Sequence, residues 1–232
     1  MSNKWLLILT LVPVLVVSMT LHELAHGLVA YRLGDPTAKN RGRLTLNPIK
    51  HMDPLGTAMF FITAIIPHGF IFGWAKPVPV SPYYFKSRQR GMMWVGMAGP
   101  ATNFVLAILF ALVLNLLEPS LNKSGDAAAW LNLYASNPPW LFTLLFLALQ
   151  VNVVLGIFNL IPVPPLDGSR ILGGFLPRSA YEKWIYLDRY GMFIIIALLV
   201  LISYTSIGQQ IGQGEWALFR AILPTYTMPI LP

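Results

Sequence analysis

Hydrophobic positions in this chain gather into long blocks rather than recurring at a helical or strand period. Apolar runs occupy residues 5–31, 54–73, 92–117, 140–161 and 191–206, with short polar stretches between them. About twenty apolar residues are enough for a helix to span a hydrocarbon core, so the first, third and fourth runs read as transmembrane helices. The fifth is shorter and reads as a crossing extended by an interfacial turn over Tyr181 to Tyr190. Run 54–73 contains Pro54, Gly56, Pro67, His68 and Gly69, which interrupt a simple helix. It reads as a re-entrant or membrane-dipping segment, the alternative being a full crossing that violates the charge rule. RGRLTLNP at 41–48 and WAKPVPV at 74–80 have the alternation and β-branched content of short surface strands, the second confined to an edge by Pro77 and Pro79. The expected fold is an all-α polytopic membrane protein with about four full transmembrane helices, the dipping segment and short surface β-strands. A membrane domain over 1–206 is expected to precede an interfacial tail over 207–232, where Trp216, Phe219 and Arg220 lie.

Composition strengthens this reading. The chain is 56% hydrophobic and 11% charged, against about 25% charged in soluble domains, and its mean hydropathy is +0.62. No stretch is long and polar enough to form a soluble accessory domain, and no internal repeat is present. The first run has only Lys4 ahead of it and no small-residue cleavage site, so it is expected to be retained rather than removed as a signal peptide. The absence of cysteine excludes disulfides and thiolate metal sites.

Charge sets the expected orientation. Thirteen of the sixteen Lys and Arg residues fall in the loops 32–50, 76–90 and 162–190, which the positive-inside rule places in the cytoplasm. The net charge of +7 is therefore a matter of topology and attraction to membrane lipid, and no nucleic-acid partner is expected. Basic loops on both sides of 54–73 imply that this segment enters and leaves by the same face.

Chemistry enters with His22-Glu23-Leu24-Ala25-His26, inside the first apolar run, where Glu23 is the only charged residue between Trp5 and Tyr31. Ionisable groups at membrane depth are costly and point to function. Spacing i, i+4 places both imidazoles on one helix face, a pair that zinc accepts readily, with the intervening Glu available to act on water. A second cluster is Asn159-Leu-Ile-Pro162-Val-Pro164-Pro165-Leu166-Asp167-Gly168. Its prolines end the fourth run and force extended backbone at membrane depth, tolerated only where protein or a water-filled cavity surrounds it. Alone, Asp167-Gly168 reads as a turn. The two motifs together read differently. His22 and His26 lie roughly 25–32 Å along the first run at about 1.5 Å per residue, in its cytoplasmic half, and Asp167 ends a run of the same direction. Two His and one carboxylate with an open fourth position form a hydrolytic zinc arrangement.

These signatures, with Gly99-Pro100 and Asn103, and with GRLTLNPIKHMDPLG and FGWAKPVPV, resemble the site-2 protease family of intramembrane zinc metalloproteases. The likeness covers roughly residues 5 to 205 and is to the compact form without PDZ-like or nucleotide-sensing domains. It implies that His22, His26 and Asp167 bind one zinc per chain, and that Glu23 is the general base for a zinc-activated water. It also implies that Asn159 contacts substrate backbone or steadies the oxyanion. The implied substrate is a transmembrane protein or peptide. The implied location is a multi-pass position in a bacterial plasma membrane, active site toward the cytoplasm. Asn103 is expected to hydrogen-bond a neighbouring helix in a structural role. His51 and Asp53 are expected in a loop hydrogen-bond network rather than a second metal site, and His68 is a weak candidate for substrate contact. The competing readings are a membrane metal-ion transporter and an inactive scaffold. Glu23 argues against the first, because a carrier has little use for a carboxylate that is not a ligand, and the complete set of chemical residues argues against the second.

Overall fold

The computed structural model describes residues 3–65, 73–117 and 139–204. Helices make up most of them. In chain order they are α1 (Asn3–Arg32), α2 (Thr37–Asn40), α3 (Pro54–Ile65), α4 (Arg88–Leu117), α5 (Pro139–Leu160), α6 (Asp167–Gly173), α7 (Arg178–Ile185) and α8 (Gly191–Tyr204), with single 3-10 turns at Pro48–Lys50, Pro82–Tyr84 and Tyr186–Tyr190. Leu9–Arg32 and Arg88–Leu117 are long and apolar enough to cross a membrane, whereas Pro54–Ala64 and Leu144–Leu160 are shorter apolar helices.

Helices α1, α4 and α5 pack against one another in all three pairings. Lipid tails are as apolar as leucine, so small residues that allow close backbone approach carry such packing. On α4, Ala107 and Ala111 lie one turn apart and meet Leu145, Leu149 and Val153 of α5 in one buried cluster with Leu114. Val14 of α1 packs against Ala148 and Val151 of α5. At the other end of the bundle, Ala30 of α1 is enclosed by Phe85, Met92 and Val95. The outer side of α4 carries exposed Val105, Ile108, Leu109, Leu112 and Leu116.

The expected surface strands do not form. Among the described residues the only β pairing is an isolated antiparallel bridge between Met52 and Ala75. Two causes are visible. Pro77 and Pro79 remove alternate N–H donors from the second segment. The first segment spends its polar groups locally: the Thr45 carbonyl meets His51 Nε2 at 2.9 Å, and Asn47 Oδ1 accepts from Ile49 N at 3.1 Å. Residues 73–81 instead run as an irregular strap across α1. Lys76 N donates to the His51 carbonyl at 2.8 Å, Arg43 Nη2 donates to the Lys76 carbonyl at 2.7 Å, and Ser81 N donates to Asp35 Oδ2 at 2.6 Å.

The first half of the expected dipping segment is helix α3, capped by Asp53, whose Oδ1 accepts from Leu55 N and Gly56 N at 3.0 and 2.9 Å. His68 and the interfacial tail 207–232 lie outside the described residues. The stretch expected as an interfacial turn, Tyr181 to Tyr190, is the end of α7 and the 3-10 turn that follows.

Candidate metal centre

His22 and His26 project from α1 toward α4, and glycine makes room for them. A Cβ on Gly99 would lie 2.5 Å from His22 Nε2 and 2.5 Å from His26 Nε2, so the backbone of α4 forms the floor beneath both rings. Gly96, one turn earlier, lets α6 approach: a Cβ there would lie 3.0 Å from Arg170 Cβ and 3.1 Å from the Asp167 carbonyl oxygen. Pro100 has no N–H to give the Gly96 carbonyl within α4.

Asp167 reaches this place because the proline-rich turn ends α5 and folds the chain back sharply. Gly168 allows the return, since a Cβ on it would collide with the Leu160 and Ile161 carbonyl oxygens. Asp167 is the first residue of α6. Three contacts hold that short helix in place. Gln89 Nε2 donates to the Gly173 carbonyl at 2.6 Å, Trp184 Nε1 donates to the Ser169 carbonyl at 2.9 Å, and Arg170 pairs with Asp188 at 3.3 Å.

The result is a tight triangle of acceptor atoms. His22 Nε2 lies 3.0 Å from His26 Nε2, and Asp167 Oδ2 lies 3.1 Å from the first and 3.3 Å from the second. His22 Nδ1 faces Asn103 Oδ1 at 2.6 Å and His26 Nδ1 faces the Val95 carbonyl at 2.6 Å. An imidazole whose Nδ1 meets an acceptor carries its proton there and leaves Nε2 a lone pair. Asp167 Oδ2 is buried with no hydrogen-bond donor. Three lone pairs pressed together without a donor repel one another unless they share a cation. Zinc ligands at about 2.0–2.1 Å in tetrahedral geometry stand about 3.3 Å apart, which fits the triangle. Among the described residues these three side chains are the group able to hold a metal ion.

Glu23 is buried beside them, and its Oε2 accepts from Val78 N at 2.8 Å. Gly27, one turn on, gives the strap space on the same face of α1: a Cβ there would lie 3.2 Å from Val78 Cγ1 and 2.7 Å from Leu44 Cδ2. Asn159 sits on the last turn of α5, where its Nδ2 donates to the Leu155 carbonyl of its own helix at 3.0 Å. Asn103 does bond neighbouring helices, through Asn152 of α5 and, at its oxygen, His22 of α1. His51 and Asp53 engage the loop groups already described.

Sequence reasoning passed over Asn152 and Ser18, which stand behind Asn103, and Asp35, which is wholly buried and also accepts from Thr37 N at 2.9 Å. Asn152 had a signal: it is a polar residue deep in an apolar run. Ser18 and Asp35 had none, because serine is unremarkable in a membrane helix and Gly34-Asp35-Pro36 reads as a turn.

The chain matches Peptidase family M50 over residues 10–202. It is 40% identical over 190 residues to "Putative zinc metalloprotease YwhC" of Bacillus subtilis, covering 82% of this chain and 80% of that protein. It is 30% identical over 184 residues to "Putative zinc metalloprotease Rip2" of Mycolicibacterium smegmatis, covering 79% of this chain and 63% of the relative. With "Zinc metalloprotease MJ0392" of Methanocaldococcus jannaschii it shares 29% identity over 165 residues, 71% of this chain but 34% of that longer protein. No solved structure matches. Two helices fit to cross a membrane, a triangle of zinc-type ligands and a match over most of its length lead to one conclusion: the chain belongs to peptidase family M50, the site-2 protease family of zinc metalloproteases.

Proposed function

We propose that this protein is an intramembrane zinc metalloprotease that hydrolyses peptide bonds within or near transmembrane helices of other membrane proteins. The observation that carries the reading is the donor-free triangle of His22 Nε2, His26 Nε2 and Asp167 Oδ2, with the Glu23 carboxylate one residue from its first member. In this reading one zinc is held by the three. When bound it would supply Lewis acidity, polarising the scissile carbonyl and acidifying water.

The side chains of this protein do the remaining work. Glu23 takes a proton from the attacking water as the new C–O bond forms, then delivers it to the amine nitrogen as the C–N bond breaks. The Val78 amide holds one oxygen of Glu23, aligning the carboxylate and leaving the other for the proton. Asn159 turns its amide toward the substrate backbone or the developing oxyanion, giving up the bond to its own helix that it makes here. A substrate helix must unwind before its carbonyl is accessible, because helical carbonyls are already bonded. The strap over 73–81, pinned beside Glu23, is the segment placed to hold the unwound piece.

Four crossings, through α1, α4, α5 and α8, would put the three basic loops and the metal centre on the cytoplasmic side of a bacterial plasma membrane. Membrane lipid surrounds the bundle.

The test is the zinc content of detergent-purified protein beside cleavage of a transmembrane-helix reporter. Wild type should hold one zinc and cleave. Asp167→Ala should lose both, and Glu23→Gln should keep zinc while losing cleavage by about 10²-fold or more. Full zinc in Asp167→Ala, or loss of zinc in Glu23→Gln, would favour a metal carrier instead.

A further inference from the structure

We propose that Asn103 and Asn152 are positioning residues for the metal centre, forming with Ser18 a one-way hydrogen-bond relay that forces His22 to present its Nε2 lone pair. The proposal rests on the zinc reading above. Its logic starts at a backbone atom. The Ala148 carbonyl of α5 can only accept, and it meets Asn152 Nδ2 at 2.8 Å. The second hydrogen of that amide goes to Ser18 Oγ of α1 at 2.9 Å. Both Asn152 hydrogens are thereby used, and its Oδ1 must face the other way.

There it meets Asn103 Nδ2 of α4 at 2.9 Å. An acceptor at that point requires Asn103 to donate, which turns Asn103 Oδ1 toward His22 Nδ1 at 2.6 Å. An acceptor opposite Nδ1 in turn requires the proton there. Each step admits one orientation, so the polarity set at the Ala148 carbonyl passes through two amides to the ring.

Burial makes the relay binding. Asn103 and Asn152 are 0% exposed, Ser18 2% and His22 3%, so no solvent water competes for these groups and a mispaired amide would leave donors facing donors. His26 reaches the same tautomer by a direct route, through the Val95 carbonyl. His22 has no carbonyl at its Nδ1 and depends on an amide, which can turn over. With Asn103 reversed, its NH2 would face Nδ1, the proton would move to Nε2, and the ring would offer N–H where the metal needs a lone pair. Asn152 removes that freedom. The relay also ties α1, α4 and α5 together at the level of the ligands, which explains polar residues on three facing helices with no role in the chemistry itself.

The experiment uses the full chain in detergent, with ¹⁵N-labelled histidine, in two measurements. In metal-free wild type, nitrogen NMR should show His22 Nδ1 protonated, whatever Nε2 carries. A bare Nδ1 there would overturn the proposal without any variant. Asn103→Leu and Asn152→Leu should mix the tautomers and weaken zinc affinity, measured against a competing chelator, by about 10–100-fold. Asn103→Asp keeps an acceptor toward Nδ1 but sets its second oxygen against Asn152 Oδ1, so it should hold the Nδ1 proton that Asn103→Leu lets go. Ser18→Ala should leave the tautomer unchanged, because the Ala148 carbonyl still orients Asn152. A role in packing alone predicts that Asn103→Asp and Asn103→Leu behave alike. Wild-type tautomer and affinity in both leucine variants would refute the relay. If wild type holds no zinc that His22→Ala removes, the zinc reading fails by itself, while the tautomer measurement still judges the relay.

Discussion

Replacing Gly99 by alanine puts the geometry of the metal centre to a direct test. The new Cβ would stand 2.5 Å from His22 Nε2 and 2.5 Å from His26 Nε2, whereas ordinary contact begins at 3.4 Å, so each ring would have to retreat by about 0.9 Å. Neither ring is free to do so. His22 is held at Nδ1 by Asn103 and His26 by the Val95 carbonyl, both at 2.6 Å. Metal sites tolerate ligand displacements of about 0.2 Å, and a misplacement of about 1 Å costs on the order of 10²-fold in catalysis. Gly99→Ala should therefore lose zinc on dialysis and cleave a transmembrane reporter at about 1% of the wild-type rate or less, while its elution and helical circular dichroism stay native. Gly96→Ala is the internal comparison. Its Cβ would meet Arg170 Cβ at 3.0 Å and the Asp167 carbonyl at 3.1 Å, a conflict of about 0.4 Å that a slight shift of α6 relieves, so zinc should be retained with weakened affinity. Wild-type zinc content and activity in Gly99→Ala would refute the placement of the histidine pair against α4.

Two further predictions concern the strap. Val78→Pro removes the N–H that holds Glu23; hydrogen bonds to charged groups contribute about 1.5–3 kcal/mol, so cleavage should fall by roughly 10–100-fold relative to Val78→Ala with zinc content unchanged, and equal rates in the two variants would show that this amide does not align the base. Asp35→Ala strips the carboxylate that accepts from Ser81 N at 2.6 Å and from Thr37 N at 2.9 Å. The strap should then open more often, and chymotrypsin should cut after Trp74 about tenfold faster; an unchanged digestion rate would mean the strap is held elsewhere.

Much of this protein is determined by local pattern. The helical, membrane-embedded class follows from apolar run length, because a bilayer demands internally bonded backbone over a fixed distance. The His-Glu-x-x-His ligand pair follows from helix period, which places residues four apart on one face whatever surrounds them. The meeting of Asp167 with the histidines was an expectation drawn from the two motifs together, and the structure brings the three side chains within hydrogen-bonding distance. Tertiary structure decided what depends on partners distant in sequence. Full strands failed to form because the Thr45 carbonyl is taken by His51 and the Val78 amide by Glu23 of α1, partners that no local propensity records. Asn159 and Asn103 are both side-chain amides within apolar runs. Only packing shows that one bonds its own helix and the other holds a ligand ring. Gly96 and Gly99 are likewise meaningful only once α6 and the histidines press against them. Short-range chemistry announces which groups can bind a metal, but the orientation of each group is set by what lies behind it, and that is a property of three helices packed together.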